Sequence, residues 1–200
     1  MAKQQSRDAT TQGSAQTRIL REAERCFDKY GLHRTTMDDI ATAAGVSRMT
    51  LYRYFSDRDA LITAIVSNRS ARLVHKVHAH LSQFETLSEQ LVEGLMFLGR
   101  RGRQDHFIGM LLQSETFDFT NKILFNKAGS AVAFAQAIWE PLLEAAIERG
   151  ELPPDYQRDT VYVWLTSVNF MMIAWLENPD VDPDYYRRLL QQFVVRAFEP

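Results

Sequence analysis

The stretch "AAGVSRMTLYRYF", residues 43–55, decides the fold. Gly45 can adopt the positive φ of a tight turn, and Val46 can fill the junction behind it. Ser47 is a good N-cap for a helix that carries Leu51 and Phe55 on its apolar side. Two short helices joined by such a turn form a helix-turn-helix. An ordinary helical hairpin, with its tyrosines half-buried in a core, is the alternative at this point.

The flanking residues extend this pattern on both sides. Residues 36–39 read T-M-D-D, which resembles a capping box with Asp in place of Glu and predicts a helix start there. An apolar stripe over residues 19–30, followed by Gly31 as a C-cap, predicts a helix before it. Residues 56–59, S-D-R-D, predict the start of a long helix after it. The head of the chain is therefore predicted to be helical throughout.

The remainder of the chain also follows a helical period. Apolar residues recur at three- and four-residue spacing, and alternating strand patterns are nearly absent. Proline-containing segments at 149–156 and 178–184 delimit the last two long helices. We predict an all-α fold with an N-terminal three-helix helix-turn-helix head and a larger helical bundle. The predicted division is a disordered arm over 1–15, the head over 16–62 and the bundle over 63–200.

Charge and composition restrict the class of protein. The chain has 46% hydrophobic and 24% charged residues, which is typical of a globular protein, and its net charge is −2. Residues 1–60 carry ten Lys and Arg against eight Asp and Glu, so any nucleic-acid-binding surface must be local. The single cysteine, Cys26, excludes an intrachain disulfide. No apolar stretch is long enough for a membrane span, and we expect a cytoplasmic protein.

Beyond spacing, the residues themselves match a known pattern. "TTMDDIATAAGVSRMTLYRYFSDRDALI", residues 35–62, follows T-x-x-x-I-A-x-x-A-G-V-S-x-x-x-L-Y-x-Y-F-x-x-(K/R)-x-x-L. This is the head motif of the TetR family of transcriptional regulators, which the chain resembles. "AERCFDKYGLHRTT", residues 23–36, is similar to that family's first helix and the turn after it. The close resemblance covers residues 16–66, and a looser one covers 142–155.

The resemblance implies a homodimer, formed by the last two helices, whose heads read neighbouring major grooves of a palindromic operator. Arg48 and Met49 are then expected at base edges. Thr36, Thr50, Tyr52, Tyr54 and Arg58 are expected to hold the DNA backbone. Asp38 is acidic and cannot attract phosphate, and we interpret it as favourable to the helix N-terminus. The expected DNA-binding residues are Thr36, Ser47, Arg48, Met49, Thr50, Tyr52, Tyr54 and Arg58.

The bundle is rich in large, deformable apolar side chains. Each of them at helical spacing is more often core than ligand pocket, but as a set they allow an apolar cavity between helices. The expected pocket residues are Met96, Phe97, Met110, Gln113, Phe117, Trp139, Asn169 and Met172. Ligand binding in the resembling family typically moves the fourth helix and lowers DNA affinity. The resemblance therefore implies a repressor released from its operator by a small, largely apolar ligand.

Two other functions are weighed against this one. The first is a small-molecule-binding helical protein whose head no longer binds DNA; the intact residues 48–54 argue against it. The second is a metal-dependent helical enzyme using His75, His78 and His80, of which His75 and His78 share a helix face. No acid completes a ligand set, and Lys76 would repel a cation. Phosphate-loop, nucleophile-elbow and Cys–His patterns are missing, so we expect no enzyme, no metal and no cofactor.

Overall fold

The computed structural model describes the backbone of residues 2–112, 130–153, 155, 157–176 and 182–198, with side chains from Ser14 onward within these ranges. All regular structure in these ranges is helical, which confirms the predicted all-α class. A 3₁₀ turn, Val195–Phe198, ends the described chain. The α-helices of the described residues are α1 (Ala2–Tyr30), α2 (Met37–Ala43), α3 (Arg48–Tyr54), α4 (Arg58–Leu81), α5 (Leu87–Gln104), α6 (His106–Leu111), α7 (Ser130–Glu148), α8 (Arg158–Trp175) and α9 (Pro183–Phe193). None of these helices is long and apolar enough to cross a membrane.

The chain divides into two compact units, Met1–Asn68 and Arg69–Pro200. The first of these units begins with α1, which starts at Ala2. The division into an arm over 1–15, a head over 16–62 and a bundle over 63–200 stays a prediction.

The first unit is organised around α2 and α3 packed on α1 and α4. Its core contains fully buried apolar side chains of all four helices: Ile19, Ala23, Phe27, Ile40, Leu51, Leu61, Ile62 and Ile65. Gly31 follows α1 with φ 82, and Gly45 joins α2 to α3 with φ 62, as the sequence predicts. The amide of Val46 donates to the Ala41 carbonyl at 3.0 Å, which closes the turn. Cys26 is buried beside this core, and burial raises the pKa of its thiol.

The second unit is a bundle in which α5 packs closely against α7 and α8. Glycines permit this approach. A Cβ on Gly94 would lie 2.6 Å from the indole ring of Trp139, and a Cβ on Gly102 would lie 2.5 Å from the Ile173 side chain. Since the indole is rigid and almost fully buried, α5 can pack at this distance only because a side chain is missing there.

Two partly buried ion pairs join helices of the bundle. Arg69 of α4 donates to both carboxylate oxygens of Asp105 at 2.7 and 2.6 Å. Asp105 is also the N-cap of α6, where its side chain accepts the amides of Phe107 and Ile108. Arg187 of α9 donates to Glu93 of α5 at 2.6 and 3.1 Å. Arg187 uses two nitrogens for the two carboxylate oxygens, which is the strong, bidentate form of an arginine–carboxylate contact, whereas Arg69 uses Nη2 alone.

Candidate nucleic-acid interface

The first of the two short helices, α2, starts with a complete capping box. The Thr36 hydroxyl accepts the Asp39 amide at 3.2 Å, and the Thr36 amide donates to the Asp39 carboxylate at 3.0 Å. The hydroxyl also donates to that carboxylate at 2.6 Å. These hydrogen bonds from Thr36 lower the pKa of Asp39. The prediction that Asp replaces Glu in this box is confirmed, and the hydroxyl of Thr36 remains at the exposed surface.

The second helix, α3, has one face in the core and one face in solvent. Ser47 caps its start by accepting the Thr50 amide at 3.1 Å, and the two hydroxyls lie 2.8 Å apart. Leu51 is fully buried, and Phe55, the C-cap, is nearly so. Met49 lies on the other face and is 84% exposed. The inward residues thus hold the helix so that its first turn projects outward.

Arg48 is held at this outward face by two neighbours. Its guanidinium donates to the carboxylate of Asp38 on α2 at 3.2 Å, with the two side chains 67% and 60% exposed. Its guanidinium carbon also lies 5.6 Å from the ring centroid of Tyr52, within cation–π range. A single contact with Asp38 leaves further N–H groups of the fork for another acceptor. The geometry suits a guanidinium that can turn to a base edge or a phosphate.

The two tyrosines of α3 differ in their surroundings. Tyr52 is 40% exposed, whereas Tyr54 is half-buried with the guanidinium carbon of Arg53 5.4 Å from its ring centroid. Both hydroxyls belong to side chains that reach the surface. The expected backbone-holding role of both tyrosines stays a prediction.

The side chain of Arg58 makes a contact that the sequence did not predict. It begins α4, is half-buried, and its Nη1 donates to the carbonyl of Leu32 at 2.7 Å. This bond ties the start of α4 to the segment between α1 and α2. A motif column specifies the residue type at the start of a helix but not the direction of a long side chain. The geometry gives Arg58 a structural role, the link between α4 and the segment before α2. A phosphate contact by Arg58 stays a prediction.

The predicted pocket residues fall into different environments. Met96, Trp139 and Met172 are almost completely buried in the bundle core, and Met110 is buried as well. The sequence left open whether these residues belong to the core or to a ligand pocket. Their burial among other apolar side chains fits the core.

The other members of the predicted pocket are not part of that core. Phe97 is half-buried beside a surface cleft. Asn169 is half-buried, and its buried Oδ1 has no hydrogen-bond partner among the described residues. Gln113 and Phe117 lie outside the described residues. The assignment of the set to one ligand pocket stays a prediction.

Tyr162 is a candidate that sequence reasoning missed. Its ring is buried, and its hydroxyl has no hydrogen-bond partner among the residues described. Burial and the nearby Glu140 carboxylate raise its pKa. Tyr162 precedes Asn169 by seven residues on α8, so the two polar groups lie on the same side of that helix, two turns apart. This spacing was the available signal, but an isolated tyrosine in an apolar stripe looks like ordinary core.

The three histidines of α4 do not converge. His75 is exposed, His78 Nε2 lies 3.0 Å from the carbonyl of Ile138, and His80 stacks on Phe97 with ring centroids 4.6 Å apart. Among the described residues no group of three or more His, Cys, Asp or Glu side chains is placed to hold a metal ion.

Comparison with known proteins places these features in a family. Residues 19–65 match the model of the bacterial regulatory proteins of the tetR family. TtgR, an HTH-type transcriptional regulator of Pseudomonas putida, is 30% identical over 176 residues, covering 81% of this chain and 80% of TtgR. The match therefore extends well beyond the helix-turn-helix.

Solved structures of similar fold include two with bound small molecules. RolR in complex with resorcinol aligns with a TM-score of 0.66 at 17% identity, covering 95% of this chain and 94% of RolR. FadR of Thermus thermophilus, a TetR-family transcriptional repressor in complex with lauroyl-CoA, aligns with a TM-score of 0.59 at 21% identity, covering 88% and 93%. At these identities the likeness concerns the fold.

Three observations point to the same family. They are the head motif, the capped helix pair with its outward Arg48 and Met49, and the match to TtgR over 81% of this chain. The relatives are named as regulators, in line with the expectation that the protein is not an enzyme. The chain belongs to the TetR family of bacterial regulatory proteins and is a DNA-binding transcriptional regulator of that type.

Proposed function

We propose that this regulator is a repressor that binds a palindromic operator as a homodimer and leaves it when a small, largely apolar ligand binds the bundle. The observation that carries the proposal is the outward face of α3. Arg48, Met49 and Tyr52 project from a helix whose opposite face is anchored by Leu51. Met49 is 84% exposed and Tyr52 is 40% exposed, and large side chains exposed in this way suit a partner surface.

The chemistry of this face fits the major groove. A guanidinium bonds O6 and N7 of guanine bidentately, and the thioether side chain of Met49 can contact a thymine methyl group. The remaining expected contacts are hydroxyls for phosphate oxygens, which fix the register of the protein but read no sequence. They are contributed by Thr36, Thr50, Tyr52 and Tyr54. Arg48 and Met49 therefore carry the sequence preference in this proposal.

The last two helices support the homodimer. Five of the large apolar side chains that the described structure leaves exposed lie on α8 and α9: Trp164, Met171, Trp175, Tyr185 and Phe193. Phe193 is 61% exposed. Aromatic and methionine side chains are enriched where proteins associate, and tryptophan in particular is a common anchor. A second copy of the same two helices would bury these side chains and bring two heads into one assembly, as a palindrome requires.

The effector is proposed to bind inside the bundle near α8. The buried Tyr162 hydroxyl and the Asn169 amide oxygen lack partners among the described residues, and a buried polar group without a partner is costly. A ligand with an apolar body and one or two polar groups would satisfy both. RolR, which shares the fold, was solved with resorcinol, a small ring with two hydroxyl groups, and FadR was solved with lauroyl-CoA, whose acyl chain is apolar but whose CoA part is charged. Release from DNA then requires that the ligand prefers the conformation that binds DNA weakly.

Selection of bound duplexes from a random DNA pool, at near-physiological salt, tests the DNA-binding part. We expect enrichment of a palindrome, and loss of the enriched sequence preference in Arg48→Ala. Arg25→Ala is the matched control, because Arg25 is 69% exposed and pairs with one carboxylate, Glu22, at 3.1 Å. Failure of a folded dimer to enrich any sequence would favour the alternative, a ligand-binding protein that no longer binds DNA.

Two further measurements test the remaining parts. Sedimentation at micromolar concentration should give a dimer, and Phe193→Glu should shift it toward monomer; a monomeric wild type would refute palindromic binding. Titration of the protein–operator complex with resorcinol and with lauroyl-CoA begins the effector search. Tyr162→Phe should weaken the response to an effective ligand without changing operator affinity. If no small molecule from a broad apolar set changes operator affinity, the ligand-released part of the proposal fails.

A further inference from the structure

A cleft of about 280 Å³ lies on the surface of the second unit. It is lined by His80 of α4 and by Glu93, Phe97, Arg100, Arg101 and Gln104 of α5. The five α5 residues are spaced i, i+4, i+7, i+8 and i+11, so they form one stripe along that helix. Only Phe97 among them belongs to the predicted effector pocket.

Ring contacts hold the wall of the cleft in place. Phe97 stacks on His80 with a centroid distance of 4.6 Å and an interplanar angle of 22°. His80 in turn meets Phe84 edge-on at 5.5 Å. The guanidinium carbon of Arg101 lies 5.3 Å from the Phe97 centroid, so the ring also positions a cation. The three groups make a partly apolar wall next to fixed positive charge.

The charges of the cleft do not cancel. Glu93 is engaged by Arg187 through two hydrogen bonds, which lower the pKa of Glu93 and balance its negative charge. Arg100 and Arg101 are exposed, and no described carboxylate forms a salt bridge with either, although the charge of Arg100 also helps to lower the pKa of Glu93. Residues 61–200 carry 13 Lys and Arg against 17 Asp and Glu, a balance of −4. The cleft therefore holds two guanidinium groups and one carboxylate that Arg187 already engages, and this local excess of positive charge favours an anion.

We propose that this cleft binds a small organic anion, with its carboxylate at Arg100 and Arg101 and a flat apolar part against Phe97 and His80. Planar guanidinium groups match carboxylates better than other cations do. A volume of about 280 Å³ lies just below the range of about 300–1,000 Å³ for drug-sized ligand sites, which selects a single ring rather than a long chain. Because α4 and α5 both line the cleft, the bound anion bridges the end of one helix to the other. The site is independent of the proposed apolar effector and does not require it.

Isothermal titration of the full chain, without DNA, tests the site with three probes: benzoate, its uncharged analogue benzamide, and inorganic phosphate. We expect benzoate to bind and to weaken about fivefold in each of Arg100→Gln and Arg101→Gln, as the loss of one exposed charge pair predicts. Binding should also weaken as salt rises. Arg188→Gln is the matched control, since Arg188 is an exposed arginine of α9 with no ion pair in the described structure.

Each remaining outcome overturns the proposal. Benzoate binding that is equal in all three arginine variants would place the anion elsewhere. Equal affinity for benzoate and benzamide would remove the role of charge, and binding of phosphate without benzoate would remove the role of the rings. The circular dichroism spectrum of each variant guards against misfolding, and Arg101→Lys, which keeps the charge, should recover part of the affinity. Since no DNA is present, failure here leaves the operator experiments unaffected, and failure of those leaves this one unaffected.

Discussion

Asp38→Asn is the substitution that most directly probes how Arg48 is used. In the structure the Asp38 carboxylate holds the Arg48 guanidinium at 3.2 Å before any DNA is present. Binding to a base edge requires Arg48 to leave or share that partner. The substitution removes this competition and also removes a negative charge next to α3, the helix proposed to enter the major groove. We therefore expect Asp38→Asn to bind the operator more tightly than wild type.

The size of the gain follows from the exposure of the pair. Both side chains are more than half exposed, and exposed ion pairs are worth about 0–1 kcal/mol. The whole of that range corresponds to a gain of up to about fivefold in affinity. The gain should shrink as salt rises, because the pair and the repulsion of phosphate are both screened. Asp38 also lies in the first turn of α2, so the same substitution should destabilise the fold slightly.

Fluorescence anisotropy with the selected operator at low and near-physiological salt measures the effect. Asp28→Asn is the control, because it makes the same charge change at an exposed residue of α1. In an Arg48→Ala background the gain from Asp38→Asn should disappear, which is the signature of coupling between two side chains. Weaker binding by Asp38→Asn, or an equal gain from Asp28→Asn, would refute the reasoning. The carboxylate would then be orienting Arg48 for DNA rather than competing for it.

Three further outcomes are expected. In chemical denaturation, Gly94→Ala should destabilise the protein by about 1–3 kcal/mol, because the new methyl group would overpack against the indole of Trp139. Gly109→Ala should be neutral or slightly stabilising, since a Cβ there would have nothing within 4 Å. Equal effects would contradict the packing described. The pKa of Glu93 is lowered in the folded protein, so its pair with Arg187 stabilises the fold at pH values above the carboxyl pKa of the unfolded chain, and this stabilisation is lost as pH falls through the folded pKa. Arg187→Gln should therefore reduce the loss of stability at acid pH. An unchanged slope would show that this pair does not contribute to the acid sensitivity. Cys26, buried with a raised thiol pKa, should react with a thiol reagent far more slowly in the native protein than after unfolding; rapid native labelling would contradict its burial.

The features that the sequence predicts well are local ones. The positive φ of Gly45, the Thr36 capping box and the Ser47 N-cap depend on residues within three or four positions of each other. Their chemistry is complete in the primary structure, so spacing alone is sufficient to predict them. The inward direction of Leu51 follows from helical periodicity in the same way.

The features that the sequence predicts poorly depend on distant partners. Arg58 turns to a carbonyl 26 positions earlier, and no local pattern contains that acceptor. Apolar periodicity likewise does not distinguish a core methionine such as Met172 from a residue that lines a ligand cavity. The partnerless hydroxyl of Tyr162 becomes visible only when every neighbour is in place. Such features require the three-dimensional arrangement of the bundle.

The glycines of α5 have a consequence for how this regulator can diversify. One side of that helix, at Gly94 and Gly102, accepts no additional atom without displacing Trp139 or Ile173. The cleft-lining residues Arg100 and Arg101 of the same helix are exposed and border open space instead. Substitutions that keep the bundle intact are therefore expected at these exposed positions of α5 rather than at its buried glycines. Related regulators can differ in the ligand chemistry of the cleft while the packing of α5 against α7 and α8 is kept.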